Sequence, residues 1–151
     1  MKYSKIEEII GYRFKNVEFL EQAYTRRSYS NENQNAKNNE ILEFVGDAVI
    51  KLYVTKYIVE KTDCVGKCEG ELSKQRTEYE NGAFLAERVD KLGLLESGLL
   101  RLGKGDREQK EYQETKVKAD LLESIIGAVA LDCEYSEKVL AGIVGKLVCN
   151  P

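Results

Sequence analysis

Proline is absent from this chain until its last position, Pro151, so nothing upstream of it forbids a helix interior. Apolar residues recur at three- and four-residue intervals almost throughout, and no run alternates as a half-buried strand would. The fold class this predicts is all-α, with about seven helices.

Glycine and Asn/Asp clusters must then set the breaks. Ile6, Ile9 and Ile10 mark a short first helix after a Ser4 cap, stopped near Gly11. Val17, Leu20, Ala23 and Tyr24 mark a second over about Asn16 to Arg27, followed by a polar loop in which Asn38 or Asn39 caps what comes next. The longest pattern runs from Glu40 to Lys61. Cys64 to Gly70 reads as a loop, Glu71 to Glu80 as a helix, and Ala83 to Lys91 as another ending at Gly93. Gly98, Gly103 and Gly105 predict a loop-rich, mobile stretch to about Tyr112. Helices over Glu114 to Leu131 and Tyr135 to Val148 complete the chain. With 151 residues, no repeat and no composition break, residues 1–151 are expected to be one domain with no second.

Several function classes drop out. The chain has no histidine, which removes Ser-His-Asp and Cys-His nucleophile systems and histidine-bearing zinc sites. A hydrolytic base must come from carboxylates, lysines, tyrosines or metal-activated water. Cys64, Cys68, Cys133 and Cys149 lack the two close pairs of a four-thiolate zinc site. Reduced thiols in a cytoplasmic protein are expected instead. The first residues offer no signal-peptide core, and no segment approaches ~20 apolar residues, so no membrane association is expected. Lys plus Arg number 23 against 26 Asp plus Glu, a net charge of −3. A nucleic-acid binder normally carries a basic excess, so any such role here needs a local basic surface or bound cations.

Two helices carry acids amid apolar residues. In the first, Glu40, Glu43 and Asp47 fall in one arc about 60° wide, while Ile41, Leu42, Phe44, Val45, Val49 and Leu52 surround them. That pattern suits an interior helix. In the second, Asp120 and Glu123 share a face among Leu121, Leu122, Ile125 and Ile126. Gly46 and Ala48 on one helix, with Ala119, Gly127 and Ala128 on the other, would allow close approach. Packed together, the helices bring Glu43, Asp47, Asp120 and Glu123 to one point, an oxygen-only set suited to Mg²⁺ or Mn²⁺. Solvated acidic faces or ion pairs are the alternative, and spacing alone does not name a substrate.

The run Asn39-Glu40-Ile41-Leu42-Glu43-Phe44-Val45-Gly46-Asp47-Ala48-Val49 resembles the signature of the ribonuclease III family, NERLEFLGDAVL. Ala23 to Tyr29 is similar to that family's ALTHRSY segment, and Glu69-Gly70-Glu71-Leu72-Ser73 with Arg76 resembles EGxLSxxR. Lys116 to Asp132 is similar to KxLADxxEAxIGAxxLD, the family's second catalytic helix. The matches keep their order over about residues 10–135. Three positions depart: Arg26 stands where histidine is usual, Lys118 where an apolar residue is, and Ser124 where alanine is. No sequence for a double-stranded-RNA-binding domain follows, as it usually does in bacterial members, so a catalytic domain alone is expected.

The resemblance implies a dimeric endonuclease fold and a Mg²⁺-dependent endoribonuclease, with Mn²⁺ able to substitute. It would cut double-stranded RNA to 5′-phosphate and 3′-hydroxyl ends with short 3′ overhangs, in RNA processing that includes rRNA. Glu43, Asp47, Asp120 and Glu123 would be the metal ligands and Glu40 a supporting acid. On that resemblance, water activated by one cation would attack phosphorus in line, and a second cation would steady the leaving oxygen. Glu69, Lys74, Arg76 and Lys116 are the expected RNA contacts, with Arg26, Arg27, Lys67, Lys104, Arg107, Lys110 and Lys118 as further basic candidates. Duplex RNA is read mostly by shape. The expected partners are a second copy of the chain, anchored by Phe44 at the interface, and a separate RNA-binding protein. A non-catalytic RNA-binding or structural module and an all-α Mg²⁺-dependent nucleotide pyrophosphohydrolase are the competing readings.

Overall fold

A computed structural model describes residues 3–95 and 98–150. Among these, nine α-helices follow one another: α1 (Ser4–Ile10), α2 (Glu18–Ala23), α3 (Arg27–Glu32), α4 (Glu40–Lys61), α5 (Glu69–Glu80), α6 (Gly82–Leu92), α7 (Lys104–Glu108), α8 (Thr115–Asp132) and α9 (Glu137–Val144). A 3₁₀ turn precedes α8 over Glu111–Gln113, and a π turn ends the chain over Gly145–Cys149. The only extended pairing among the described residues is an isolated bridge between Thr25 and Arg101. The all-α class stands.

The interior is built around α8. Its Val117, Leu121, Leu122, Ile125, Ile126 and Val129 are all buried, and it packs against α2, α4 and α6. A helix enclosed on every side can be apolar on every side. The same reading does not hold for α4. That helix buries Leu42, Val49, Ile50, Val54 and Ile58, but Ile41, Phe44, Leu52 and Val59 are 67%, 79%, 63% and 56% exposed. Its apolar pattern covers two faces, one turned to the core and one to the outside.

Several boundaries differ from expectation. Ser4 is the first residue of α1 rather than its cap. At α4, the Asn38 side chain accepts from the Glu40 N–H at 3.1 Å. The helix α5 opens at Glu69 rather than Glu71, because the Glu71 carboxylate turns back to accept the Cys68 N–H at 2.9 Å. The expected helix over Asn16 to Arg27 divides. Tyr24 accepts from the Arg101 N–H at 2.7 Å and the Arg26 N–H donates to Arg101 at 3.0 Å, so the backbone is drawn out of helical geometry between α2 and α3.

Two short polar helices replace expected loops. In α3, the Ser28 hydroxyl accepts from the Gly103 N–H and the Glu32 carboxylate from the Lys104 N–H. Those N–H groups lie at the start of α7, so α3 and α7 hold each other by polar contacts rather than by a buried face.

Candidate metal centre

The site forms where α4 crosses α8. A Cβ on Gly46 would lie 1.8 Å from the carbonyl oxygen of Glu123, and one on Gly127 would lie 1.9 Å from that of Leu42. Both distances are impossible for real atoms, so the two main chains touch, and only glycine fits at either position. Glu43 lies one turn before Gly46 and Glu123 one turn before Gly127. The crossing therefore sets them side by side, with Asp120 a further turn up α8.

Carboxylate oxygens of Glu43, Asp120 and Glu123 all lie within 4.8 Å of one another. Asp120 is buried. Its carboxylate accepts from Arg26 at 2.8 Å and from Lys116 at 3.1 and 3.2 Å. Burial, then the nearby charges of Asp47, Asp120 and Glu43, push the Glu123 carboxyl up to about 7, against a partial offset from Lys116. Glu43 is raised in the same direction by burial and by Asp120, while Lys116 and Arg26 oppose the shift. Burial, which disfavours a charged carboxylate, is the larger cause, and the mutual repulsion of the acids adds to it. With donors that are all oxygen, the set fits a hard divalent cation.

The other acids behave differently. The Asp47 carboxylate accepts from Lys51 one turn along α4 at 2.7 Å and is not among the converging donors, though its charge is felt at Glu123. Glu40 is exposed and pairs with Arg27 at 3.1 Å. The Lys51 pairing was open to sequence reasoning from its i, i+4 spacing. The Arg26 pairing was not, since it spans 94 positions.

The expected basic surface is partly occupied. Lys116 turns to Asp120, and Lys118 pairs with Asp90 on α6 at 2.7 Å with its side chain only 17% exposed. That partner accounts for a lysine where an apolar residue was expected. Arg76 donates to the Thr55 hydroxyl at 3.3 Å and lies 3.6 Å from Glu80, and Glu69 accepts from Ser73. Lys74 is exposed.

In this all-α domain two central helices cross at paired glycines, and the three carboxylates that converge beside the crossing form a site that could hold a metal ion. The chain matches the family model described as Ribonuclease-III-like over residues 16–146. It belongs to that family. It is 39% identical to Ribonuclease 3 of Treponema succinifaciens over 142 residues, which are 89% of this chain and 38% of that protein. It is 41% identical to Ribonuclease 3 of Bdellovibrio bacteriovorus over 130 residues, 84% of this chain and 53% of the relative. The chain thus spans about two fifths to one half of these relatives. The nuclease domain of ribonuclease III from Campylobacter jejuni, solved in a study of flexibility in its dimer-forming region, superposes with a TM-score of 0.80 at 29% identity, covering 96% of this chain and 97% of that one.

Proposed function

We propose that this domain is a Mg²⁺-dependent endoribonuclease of double-stranded RNA, leaving 5′-phosphate and 3′-hydroxyl ends with short 3′ overhangs. The observation that carries this reading is the convergence of Glu43, Asp120 and Glu123 beside the Gly46–Gly127 crossing in a chain of this family. These three, joined by Asp47, would hold Mg²⁺ or Mn²⁺. A cation bound there supplies activation of water and neutralisation of charge on the phosphate.

The chain's own residues do the rest. The glycine crossing fixes the separation of Glu43 from Glu123, and Arg26 and Lys116 pair with the Asp120 carboxylate. Glu40, paired with Arg27, lies at the open rim as a supporting acid. Glu69, Lys74 and Arg76 on α5, together with Lys116, are the proposed RNA contacts, and recognition by shape and 2′-hydroxyls needs few of them.

The domain acts as a homodimer in this reading. A duplex has two strands, and a two-fold pair of sites addresses both. Phe44 lies eight residues before Leu52 and Val59 seven after it on the exposed face of α4. Two antiparallel α4 helices related by an axis near Leu52 therefore bring the Phe44 of one copy beside the Val59 end of the other. There Thr55, Ile58, Val59, Leu72 and Arg76 line a groove of about 200 Å³. A buried aromatic in such a groove is the usual form of an interface anchor.

No helix among the described residues is long and apolar enough to cross a membrane, and a cytoplasmic role in RNA processing, including rRNA, with a separate RNA-binding protein as partner, completes the proposal. Its test is incubation with a long RNA duplex with and without Mg²⁺, followed by end analysis. Metal-dependent fragments with 5′-phosphates are expected from wild type and none from Glu123→Gln. Undiminished cutting by that variant would overturn the site.

A further inference from the structure

The site contains a permanent cation that its neighbours hold in place. Arg26 is an extended residue just before α3, and the backbone there is fastened on two sides. Its N–H donates to the Arg101 carbonyl at 3.0 Å, and the adjacent Thr25 carbonyl accepts from the Asn39 N–H at 2.9 Å, just before α4 begins. From that position the guanidinium meets Asp120 at 2.8 Å, with side chains only 19% and 8% exposed. Lys116 also meets Asp120, but its side chain is 74% exposed, so solvent screens its charge more than that of Arg26.

The charge balance follows. Glu43, Asp120 and Glu123, when ionised, carry three negative charges, and Arg26 and Lys116 supply two positive ones. Asp47 is paired with Lys51, though its charge still reaches Glu123. Removing Arg26 therefore leaves one more uncompensated negative charge facing a divalent cation. An arginine does not lose its proton in a protein, so this offset persists at every working pH.

We propose that Arg26 is a resident counter-ion that competes with the divalent metal for Asp120 and thereby sets the affinity of the site for metal. The inference rests on the metal-centre reading above. Arg26 acts in two directions. It stabilises the metal-free protein by pairing a buried carboxylate, and it weakens metal binding by occupying one Asp120 oxygen and repelling the incoming charge. Asp120 keeps its position in α8 without Arg26, because the helix backbone and Lys116 still hold it.

The experiment is calorimetric titration of the full chain with Mn²⁺ alone, with thermal melts in chelator and in Mn²⁺. Arg26→Gln should bind Mn²⁺ about tenfold more tightly than wild type, the scale on which a neighbouring unit charge acts on a divalent ion across a solvated gap. It should also melt lower in chelator and gain more from Mn²⁺. Arg26→Lys, which keeps the charge, should bind within about twofold of wild type on the same argument. If Arg26→Gln is unfolded in chelator, Arg26→Met, which is neutral at any pH, provides the same comparison and should also bind more tightly. Equal or weaker binding by the neutral variants would overturn the proposal and make Arg26 a positioning residue for Asp120. Wild-type binding of Mn²⁺ that survives Glu123→Gln, or no binding at all, would overturn the metal-centre reading instead.

Discussion

The phenol of Tyr12 donates to the carboxylate of Asp132 at 2.7 Å, across 120 positions of the chain. The same carboxylate accepts the N–H groups of Lys15 and Asn16, each at 2.8 Å. One acid at the end of α8 thus holds the whole turn between α1 and α2. Hydrogen bonds to a charged group are worth about 1.5–3 kcal/mol each, and Asp132→Asn keeps only part of this set. We expect it to lose about 2 kcal/mol in chemical denaturation, with Mn²⁺ affinity unchanged because Asp132 lies outside the metal centre.

Acid should narrow that difference. Burial alone would raise the Asp132 carboxyl, but the Lys15 N–H, the Tyr12 hydroxyl, the Asn16 N–H and the Lys15 charge together hold it below the usual aspartate value. A depressed carboxyl contributes stability above its unfolded value and loses it as pH falls through the folded one. Denaturation midpoints of wild type and Asp132→Asn should therefore converge below about pH 4. A constant gap down to pH 2 would contradict the assignment.

Glu123 predicts the opposite slope. Its carboxyl is raised to about 7, so the folded, metal-free protein keeps a proton that the unfolded chain releases nearer pH 4.5. Stability contributed by that retained proton is lost as pH climbs through this window. In chelator the melting temperature of wild type should decline between about pH 5 and pH 8. Glu123→Gln, which never ionises, should show a flatter profile.

Gly127→Ala tests the helix crossing. The added methyl would meet the Leu42 carbonyl at 1.9 Å, and backbone has no rotamer with which to yield. The helices must separate, at a cost of about 3 kcal/mol or more. Thermal melts should show the loss, and Mn²⁺ affinity should fall with it as Glu43 and Glu123 draw apart.

Phe44→Ala tests the proposed assembly. Removing an interface anchor costs about 2–4 kcal/mol, enough to shift a moderate dimer towards the 17.1 kDa monomer. Because Phe44 is 79% exposed in the single chain, its loss should leave the monomer's melting behaviour nearly unchanged. Sedimentation at micromolar concentration separates these outcomes. An unaltered dimer would remove Phe44 from the interface.

Much of this was legible in the sequence, and the larger misses share a cause. The bounds of α4 were readable from Glu40 to Lys61 because a long apolar pattern sets them locally. The start of α8 was within one residue of expectation for the same reason. Gly46 and Gly127 were readable as small residues, and of the expected set Glu43, Asp47, Asp120 and Glu123, all but Asp47 converge, since Asp47 turns to Lys51. The larger misses depended on distant contacts. The segments α3 and α7 have no apolar stripe and exist through Ser28–Gly103 and Glu32–Lys104 hydrogen bonds. The break at Thr25–Arg26 depends on Arg101, 75 positions further on. That break in turn carries Arg26 to Asp120, so no local pattern announces the pairing.

The contact between Gly46 and Gly127 has a consequence for how this domain can change over time. Because main chain meets main chain there, the gap between the two halves of the site does not depend on any side chain. Leu122, Ile125 or Val49 can be exchanged for other apolar residues at some cost in stability while the spacing of Glu43 and Glu123 is preserved. Drift in the core and constancy of the chemistry are thereby separated, and two glycines are all that the separation requires.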